Sequence, residues 1–164
     1  MLPLTPATLR ACFVNASKKE RSDAWLPDLD ALDWDALDLL GWRDAKLGRR
    51  SYVVVPTDGG GGAPVGVLLR QAEASPRSRT QCAWCADVRL PNPVVMVGAR
   101  LAGPAGRAGG TVGTLVCEDF QCSANVRTDP PLPYEGFDVA RARAERVDAL
   151  RTRAAGFVRA VTTR

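Results

Sequence analysis

Two close cysteine pairs flank a strand–turn–strand pattern, and a long apolar stripe follows a proline-rich break. Together they predict an α+β fold: a treble-clef-type zinc-binding domain with antiparallel β-hairpins, an N-terminal helix and an added long C-terminal helix. The chain has 164 residues, of which 46% are hydrophobic, enough for one compact domain with an appendage or two very small ones. The division expected is a treble-clef domain over residues 1–128, with helix and hairpin in 1–71 and the zinc module in 78–128. A proline-rich linker and amphipathic helix then occupy 129–164.

The elements follow in chain order. Pro6 to Ala16 reads as the first helix: Thr5 suits the N-cap, Pro6 the first helical position, and Leu9, Phe13 and Cys12 the buried face. Ser17 to Arg21 is a charged exit. Trp25 to Trp42, dense in Leu, Trp and Asp, reads as short helical turns ending at Gly41, either an aromatic core with solvated aspartates or an acidic-hydrophobic motif for a partner. Tyr52–Val55 and Val65–Leu69 form a hairpin across a turn at Gly59–Gly62. That glycine run has no following Gly-Lys-Ser/Thr and opens no helix, so it is not a phosphate loop. Ala72 to Thr80 is a polar connector. Val94–Leu101 and Thr111–Val116 are strands joined by a Gly-Ala-Arg turn over 103–110, and Cys117 to Val126 turns into a short helix, for which Asp119 is a candidate cap. Pro130, Pro131 and Pro133 break the chain. From Phe137 to Val161 the residues Val147, Leu150, Ala154, Phe157 or Val158, and Val161 recur at helical spacing, with Arg143, Arg146, Arg153 and Arg159 largely off the stripe.

The charge is modest, 22 basic against 18 acidic residues for a net +4, but unevenly placed. Aspartates crowd the first third and arginines dominate from Arg70 onward, which suits an acidic partner or docking between the two halves. There is no histidine, which removes Ser-His-Asp and Cys-His catalysis and every histidine-containing metal site. The start of the sequence has no apolar signal core, and no stretch approaches the roughly 20 apolar residues that span a bilayer. A cytoplasmic protein without membrane contact is expected, and in a reducing compartment clustered cysteines read as metal ligands before disulfides.

The strongest signal is Cys82-Ala83-Trp84-Cys85 followed by Cys117-Glu118-Asp119-Phe120-Gln121-Cys122. Two intervening residues let one tight turn aim both thiols at one ion. Four suit one thiolate at a strand end and one in the first turn of a helix. Knuckle, hairpin, then ligand-bearing helix is the order of a treble clef. Four protein ligands leave no open position, so the one Zn2+ expected is structural and activates no water. Such a site contributes on the order of 10 kcal/mol to folding. An iron centre on the same ligands, a redox dithiol and disulfides are the alternatives. Cys12 lies apart, with no partner spacing, and reads as a buried or incidental thiol.

Three segments carry a resemblance: Phe13-Val14-Asn15-Ala16-Ser17-Lys18; Asp30-Ala31-Leu32-Asp33-Trp34 through Leu39-Leu40-Gly41-Trp42-Arg43-Asp44; and Thr111 to Cys117 continuing through Asp119 to Cys122-Ser123-Ala124-Asn125-Val126-Arg127. Together they resemble the elongation factor G-binding family, whose known members are the FusB fusidic-acid-resistance proteins, over its C-terminal treble-clef zinc-finger domain and about residues 1–128 here. The resemblance implies a non-enzymatic protein that binds elongation factor G, on the ribosome or free, and helps release it, as in rescue of translation blocked by fusidic acid. FusB members carry a histidine among the four ligands where this sequence has Cys117. Their N-terminal helical bundle has no counterpart here. On the family's zinc-finger face, Trp84 is a candidate anchor for the partner or a residue packed on the knuckle, and Arg89, Arg100, Arg107 and Arg127 are candidates to meet an acidic surface. A zinc-containing RNA- or ribosome-binding module is the competing reading, weakly supported by the charge.

Overall fold

The computed structural model describes residues 1–57, 62–73, 80–87, 93–130 and 134–163. The chain forms a five-stranded antiparallel sheet in which each strand pairs with the next: β1 (Leu40–Arg43), β2 (Arg50–Pro56), β3 (Pro64–Gln71), β4 (Val94–Arg100) and β5 (Thr111–Cys117). Both faces of its first three strands are covered. Tyr52 and Val54 on β2 turn to one side, against Leu9, Phe13, Trp42 and Leu68. Val53 and Val55 turn to the other, against Val67, Leu69, Val97 and the last helix. Two-sided burial is why Tyr52-Val53-Val54-Val55 is continuously apolar, a pattern that alternation alone does not produce.

The first side is built by α1 (Pro6–Cys12) and α2 (Lys18–Ser22). Thr5 caps α1 by accepting from the Thr8 amide at 3.2 Å. The helix stops at Cys12, four residues earlier than its sequence suggests, because Phe13 turns extended and pairs in parallel with Gly66. The Val14 amide donates to the Gly66 carbonyl at 2.9 Å. A Cβ at Gly66 would lie 2.6 Å from Cys12 Sγ and 2.8 Å from Phe13 Cδ1, so only glycine admits this approach. The expected charged exit is instead a helix with a capping box: the Glu20 amide donates to Ser17 Oγ and the Ser17 amide to Glu20 Oε2.

Two further expectations are corrected. The segment before Gly41 makes a single 3-10 turn, Trp34–Ala36, and then the strand β1, which crosses Gly41. The turn after β4 contains a short helix, α3 (Gly103–Arg107). The hairpin of β2 and β3 and the strands β4 and β5 stand where the apolar runs place them. The glycine turn at 59–61, the middle of the polar connector (74–79), Arg89, Pro131 and Pro133 lie outside the described residues.

The second side of the sheet is closed by α4 (Cys122–Arg127) and α5 (Val139–Thr162). Leu150, Ala154, Phe157, Val158 and Val161 are the buried stripe of α5, and they belong to the same core as Trp84, Phe120 and Val126. The long helix thus packs on its own body. Its arginines are not simply a solvated face: Arg146 donates to the Asn125 and Thr128 carbonyls at 2.8 and 2.6 Å, closing the C-terminal end of α4, and Arg143 pairs with Asp129. No described helix is long and apolar enough to cross a membrane.

Candidate metal centre

Cys82 and Cys85 lie on a tight turn whose Ala86 amide donates to the Cys82 carbonyl at 3.0 Å. The Ala83 amide donates to the Leu115 carbonyl at 2.8 Å and so pins this knuckle to β5. Cys117 is the last residue of β5 and Cys122 the first of α4. The strand-end and helix-start placement expected from the spacing is what the chain adopts. The cap differs: Gln121 occupies the N-cap position without a side-chain capping bond, and Asp119 does not cap α4. Two residues of the ligand-bearing turns sit at positive φ, Ala86 and Phe120, both at 56°. The conformation costs a non-glycine residue about 1 kcal/mol or more. Phe120 is held there by its packing over β1, where a Cβ at Gly41 would fall 2.4 Å from its ring.

The four sulfurs all lie within 4.8 Å of one another and every one of the four residues is buried. The Cys82–Cys122 separation is 3.7 Å and the Cys85–Cys117 separation 3.5 Å. A tetrahedral site with metal–sulfur bonds of about 2.3 Å has sulfur–sulfur edges of about 3.8 Å, so the donor set fits zinc in number, softness and spacing. All four are free thiols, which sets aside the disulfide alternative. The thiols also perturb one another. Hydrogen bonds from Cys117 and then Cys122 hold Cys82 far below an ordinary thiol and bring Cys85 down to about 7. Cys122 is pushed up, first by its hydrogen bond with Cys117.

The surroundings contain residues the sequence reading missed. Asn125 Nδ2 donates to Cys117 Sγ at 3.5 Å and to Cys85 Sγ at 3.7 Å, which stabilises negative sulfur. Its signal was available, since it lies one helical turn beyond Cys122. Asp38, whose side chain is 0% exposed, receives Arg127 and also Arg151, the latter at 2.9 Å, and its amide donates to Ser123 Oγ at 3.0 Å. One buried carboxylate thereby ties the approach to β1 to both α4 and α5, and realises the docking between acidic and basic halves that the charge asymmetry suggested. Arg43 pairs with Glu118 at 2.7 Å, joining β1 to the loop between the second two cysteines.

The predicted partner-binding set is scattered by the fold. Trp84 is 2% exposed, packed against Phe157 at 5.6 Å and Phe120 at 6.4 Å between ring centroids, and Arg153 donates to its carbonyl at 3.2 Å. The expectation of an exposed anchor there is corrected: α5 covers the indole. Arg127 is half-buried in its ion pair with Asp38. Arg100 and Arg107 are exposed, at the end of β4 and of α3. Arg89 is outside the described residues. Cys12 is partly buried and donates to the Leu9 carbonyl at 3.2 Å, and burial pushes its thiol up to about 11, the behaviour of an inert thiol.

A knuckle, a hairpin and a helix that converge four thiols on one point define a treble-clef zinc-binding protein. A family model described as FBP C-terminal treble-clef zinc-finger matches residues 8–161, and the chain belongs to that family. The match runs through α5. The domain and the cluster together give the protein one structural zinc ion. Among solved structures, that of the fusidic acid resistance protein FusC is similar at 19% identity and a TM-score of 0.48, over 63% of this chain and 45% of that one, so the chain spans less than half the length of that relative. No curated protein matches the chain.

Proposed function

We propose that this chain is a non-enzymatic, cytoplasmic zinc module that binds elongation factor G and promotes its release from the ribosome, with Cys82, Cys85, Cys117 and Cys122 as the four zinc ligands. The observation that carries the reading is the match of the zinc-finger family over residues 8–161, in line with the elongation factor G-binding resemblance in the sequence. The chemistry of the site agrees with binding over turnover. Four buried thiols fill a tetrahedral ion's coordination, leaving no position for water or substrate. The metal's part is to fix the β4–β5 hairpin, the knuckle and α4 as one rigid unit.

The test has two readouts on purified protein. Metal analysis should give one zinc per chain, and a Cys117→Ser variant should lose it. Immobilised protein should capture purified elongation factor G, and adding it to factor stalled on ribosomes with fusidic acid should raise the fraction released. Zinc without capture would sink the partner while leaving the metal assignment intact.

A further inference from the structure

Among the described residues, no helix covers the outer face of β4 and β5, where Met96, Arg100, Thr111 and Gly113 are exposed. There the sheet presents one row of four directly paired residues: Arg50 on β2, Arg70 on β3, Gly98 on β4 and Gly113 on β5. Like charges placed opposite one another across strands are unfavourable, and glycine inside a strand weakens it. The fold requires neither feature. A Cβ at Gly98 would meet nothing closer than 4.0 Å, and one at Gly113 nothing closer than 3.4 Å. Two adjoining hollows of about 600 and 270 Å³ meet at Arg70 over this row. Their lining brings Lys46, Arg49, Arg50, Arg70 and Arg100 against a single lining carboxylate, Glu20. Glu20 reaches Arg70 at 3.4 Å and is also engaged by the Ser17 amide. Arg49 pairs with Glu73 at the rim, and Asp44 accepts from Tyr52 beneath the shelf, where Arg50 also reaches the Tyr52 hydroxyl and faces Asp44. Two of the exposed large apolar side chains, Leu47 and Met96, flank the same surface at 49% and 39% exposure.

We infer that this shelf is the docking surface for an acidic polypeptide segment of a partner protein, laid flat over Gly98 and Gly113 with its carboxylates on Arg50, Arg70 and Arg100. Cations complement carboxylates and phosphates alike, and three features favour a polypeptide. The glycine floor admits close approach of another backbone. Arginine and methionine together are the composition of protein interfaces. Among the described residues, no exposed aromatic ring lines the shelf for bases to stack on. The inference deepens the reading proposed above, in that elongation factor G is the partner expected to carry the segment.

Three probes separate the outcomes: purified elongation factor G, a synthetic peptide of alternating glutamate and leucine, and a 20-base-pair RNA duplex. The variants are Gly98→Val, which fills the floor and is expected to fold at least as stably as wild type, and Arg70→Gln with Arg100→Gln, which removes charge without reversing it. Arg159→Gln, at an exposed position of α5, is the control. Factor and peptide should each bind about tenfold or more weakly to Gly98→Val and to the double variant, with the control unchanged and wild-type affinity falling as salt rises. Capture of the factor with wild-type affinity by both variants overturns the surface and leaves the partner standing. If the factor does not bind wild type, the partner fails and the peptide decides the surface: binding lost in Gly98→Val supports it, and no binding overturns it. RNA bound more tightly than the peptide, and lost in the double variant, overturns the inference in favour of a nucleic acid.

Discussion

Asn15 is the residue on which the joint between β3 and β4 depends. These strands pair only at Arg70↔Gly98 and Gln71↔Val97 and then diverge. Into the gap the side chain of Asn15 inserts as a substitute for strand backbone. Its Oδ1 accepts from the Leu68 amide at 2.8 Å, and its Nδ2 donates to the carbonyls of Leu68 and Arg100, both at 2.9 Å. Asn15→Ala removes all three bonds. The two to Leu68 are partly buried and contribute about 1 kcal/mol each, while the one to Arg100 is solvent-exposed and contributes little, giving a loss of about 2 kcal/mol. For a chain of this size that lowers Tm by about 4–8 °C. Asn15→Asp keeps the acceptor for the Leu68 amide but sets a carboxylate against two carbonyl oxygens, and should be about 1 kcal/mol worse than alanine. The assay is urea and thermal unfolding at one fixed zinc concentration, because metal bound to the native state shifts the midpoint by mass action. Hydrogen exchange at the Leu68 amide gives the local readout and should accelerate in Asn15→Ala. An alanine variant within about 0.5 kcal/mol of wild type, or an aspartate variant no worse than alanine, would refute the account of the amide as a strand substitute.

The same measurements check four other residues. Asp38→Ala strands Arg127 and Arg151 while keeping the backbone amide bond to Ser123 Oγ; because both arginines are about a third or more exposed and can turn to solvent, the loss should be about 2–3 kcal/mol, below the full range for a buried pair, and a double-mutant cycle with Arg151→Ala should show coupling above about 0.5 kcal/mol. Ala86→Gly relieves the positive φ in the knuckle and should raise stability by about 0.5–1 kcal/mol with zinc content unchanged, so a loss of stability would show that the methyl matters more than the backbone. Burial opposes ionisation of Asp44, but the Tyr52 hydroxyl at 2.7 Å and the Lys46 and Leu47 amides more than offset it, so its pKa is lowered. A depressed carboxylate contributes stability above its unfolded value of 3.8 that is lost as pH falls below it. Tyr52, pushed up to about 12 mainly by burial, contributes stability that is lost as pH rises from about 10 through 12, and Tyr52→Phe should abolish that alkaline limb of the stability profile.

What was legible in the sequence followed from local constraint. The convergence of the four cysteines could be read because a knuckle and a strand-to-helix turn impose short spacings that a metal-binding fold of this kind must keep. The β2–β3 hairpin and the strands β4 and β5 could be read because their apolar runs are bounded by glycine and proline. The stripe of α5 could be read because the helical period is sustained from Val147 to Val161, about four turns. The errors share another cause. The α1 boundary was placed too late because Phe13 is buried by a bridge to Gly66, distant in sequence, and its helical spacing from Leu9 is incidental. β1 was hidden because Leu40-Gly41-Trp42-Arg43 is a weak strand by itself and exists through its pairing with β2. The capping box of Ser17 and Glu20 has a local signature, a serine followed three residues later by a glutamate, which the charge of Lys18, Lys19 and Arg21 masks. Trp84 was misplaced because whether the indole meets solvent depends on Phe157 and Arg153, contributed by a helix at the far end of the chain.

That last misplacement also bears on how the metal serves the protein. The thiols, Trp84 and Phe120 are enclosed by α5, and the arginines of α5 are drawn onto Asp38, the Asn125 and Thr128 carbonyls and the Trp84 carbonyl. The side of the module nearest the sulfurs is therefore occupied by the chain itself. The part of the zinc unit that stays open is the opposite face of the hairpin, where Met96 and Leu115, Gly98 and Gly113, and Arg100 and Thr111 stand in directly paired rows. Cys117 terminates the strand that carries Gly113 and Leu115, and Ala83 of the knuckle is bonded to that strand at Leu115. An ion held by the four thiols thus fixes β5 from behind while its front stays free. On this arrangement, chelation of zinc should loosen the shelf before it disturbs the β2–β3 hairpin and the N-terminal helices: amide exchange in β4 and β5 should accelerate at chelator concentrations that leave the Val53 and Val67 amides protected. Simultaneous loss of protection in both regions would mean that the metal supports the whole core equally and that the hairpin is not a separable unit.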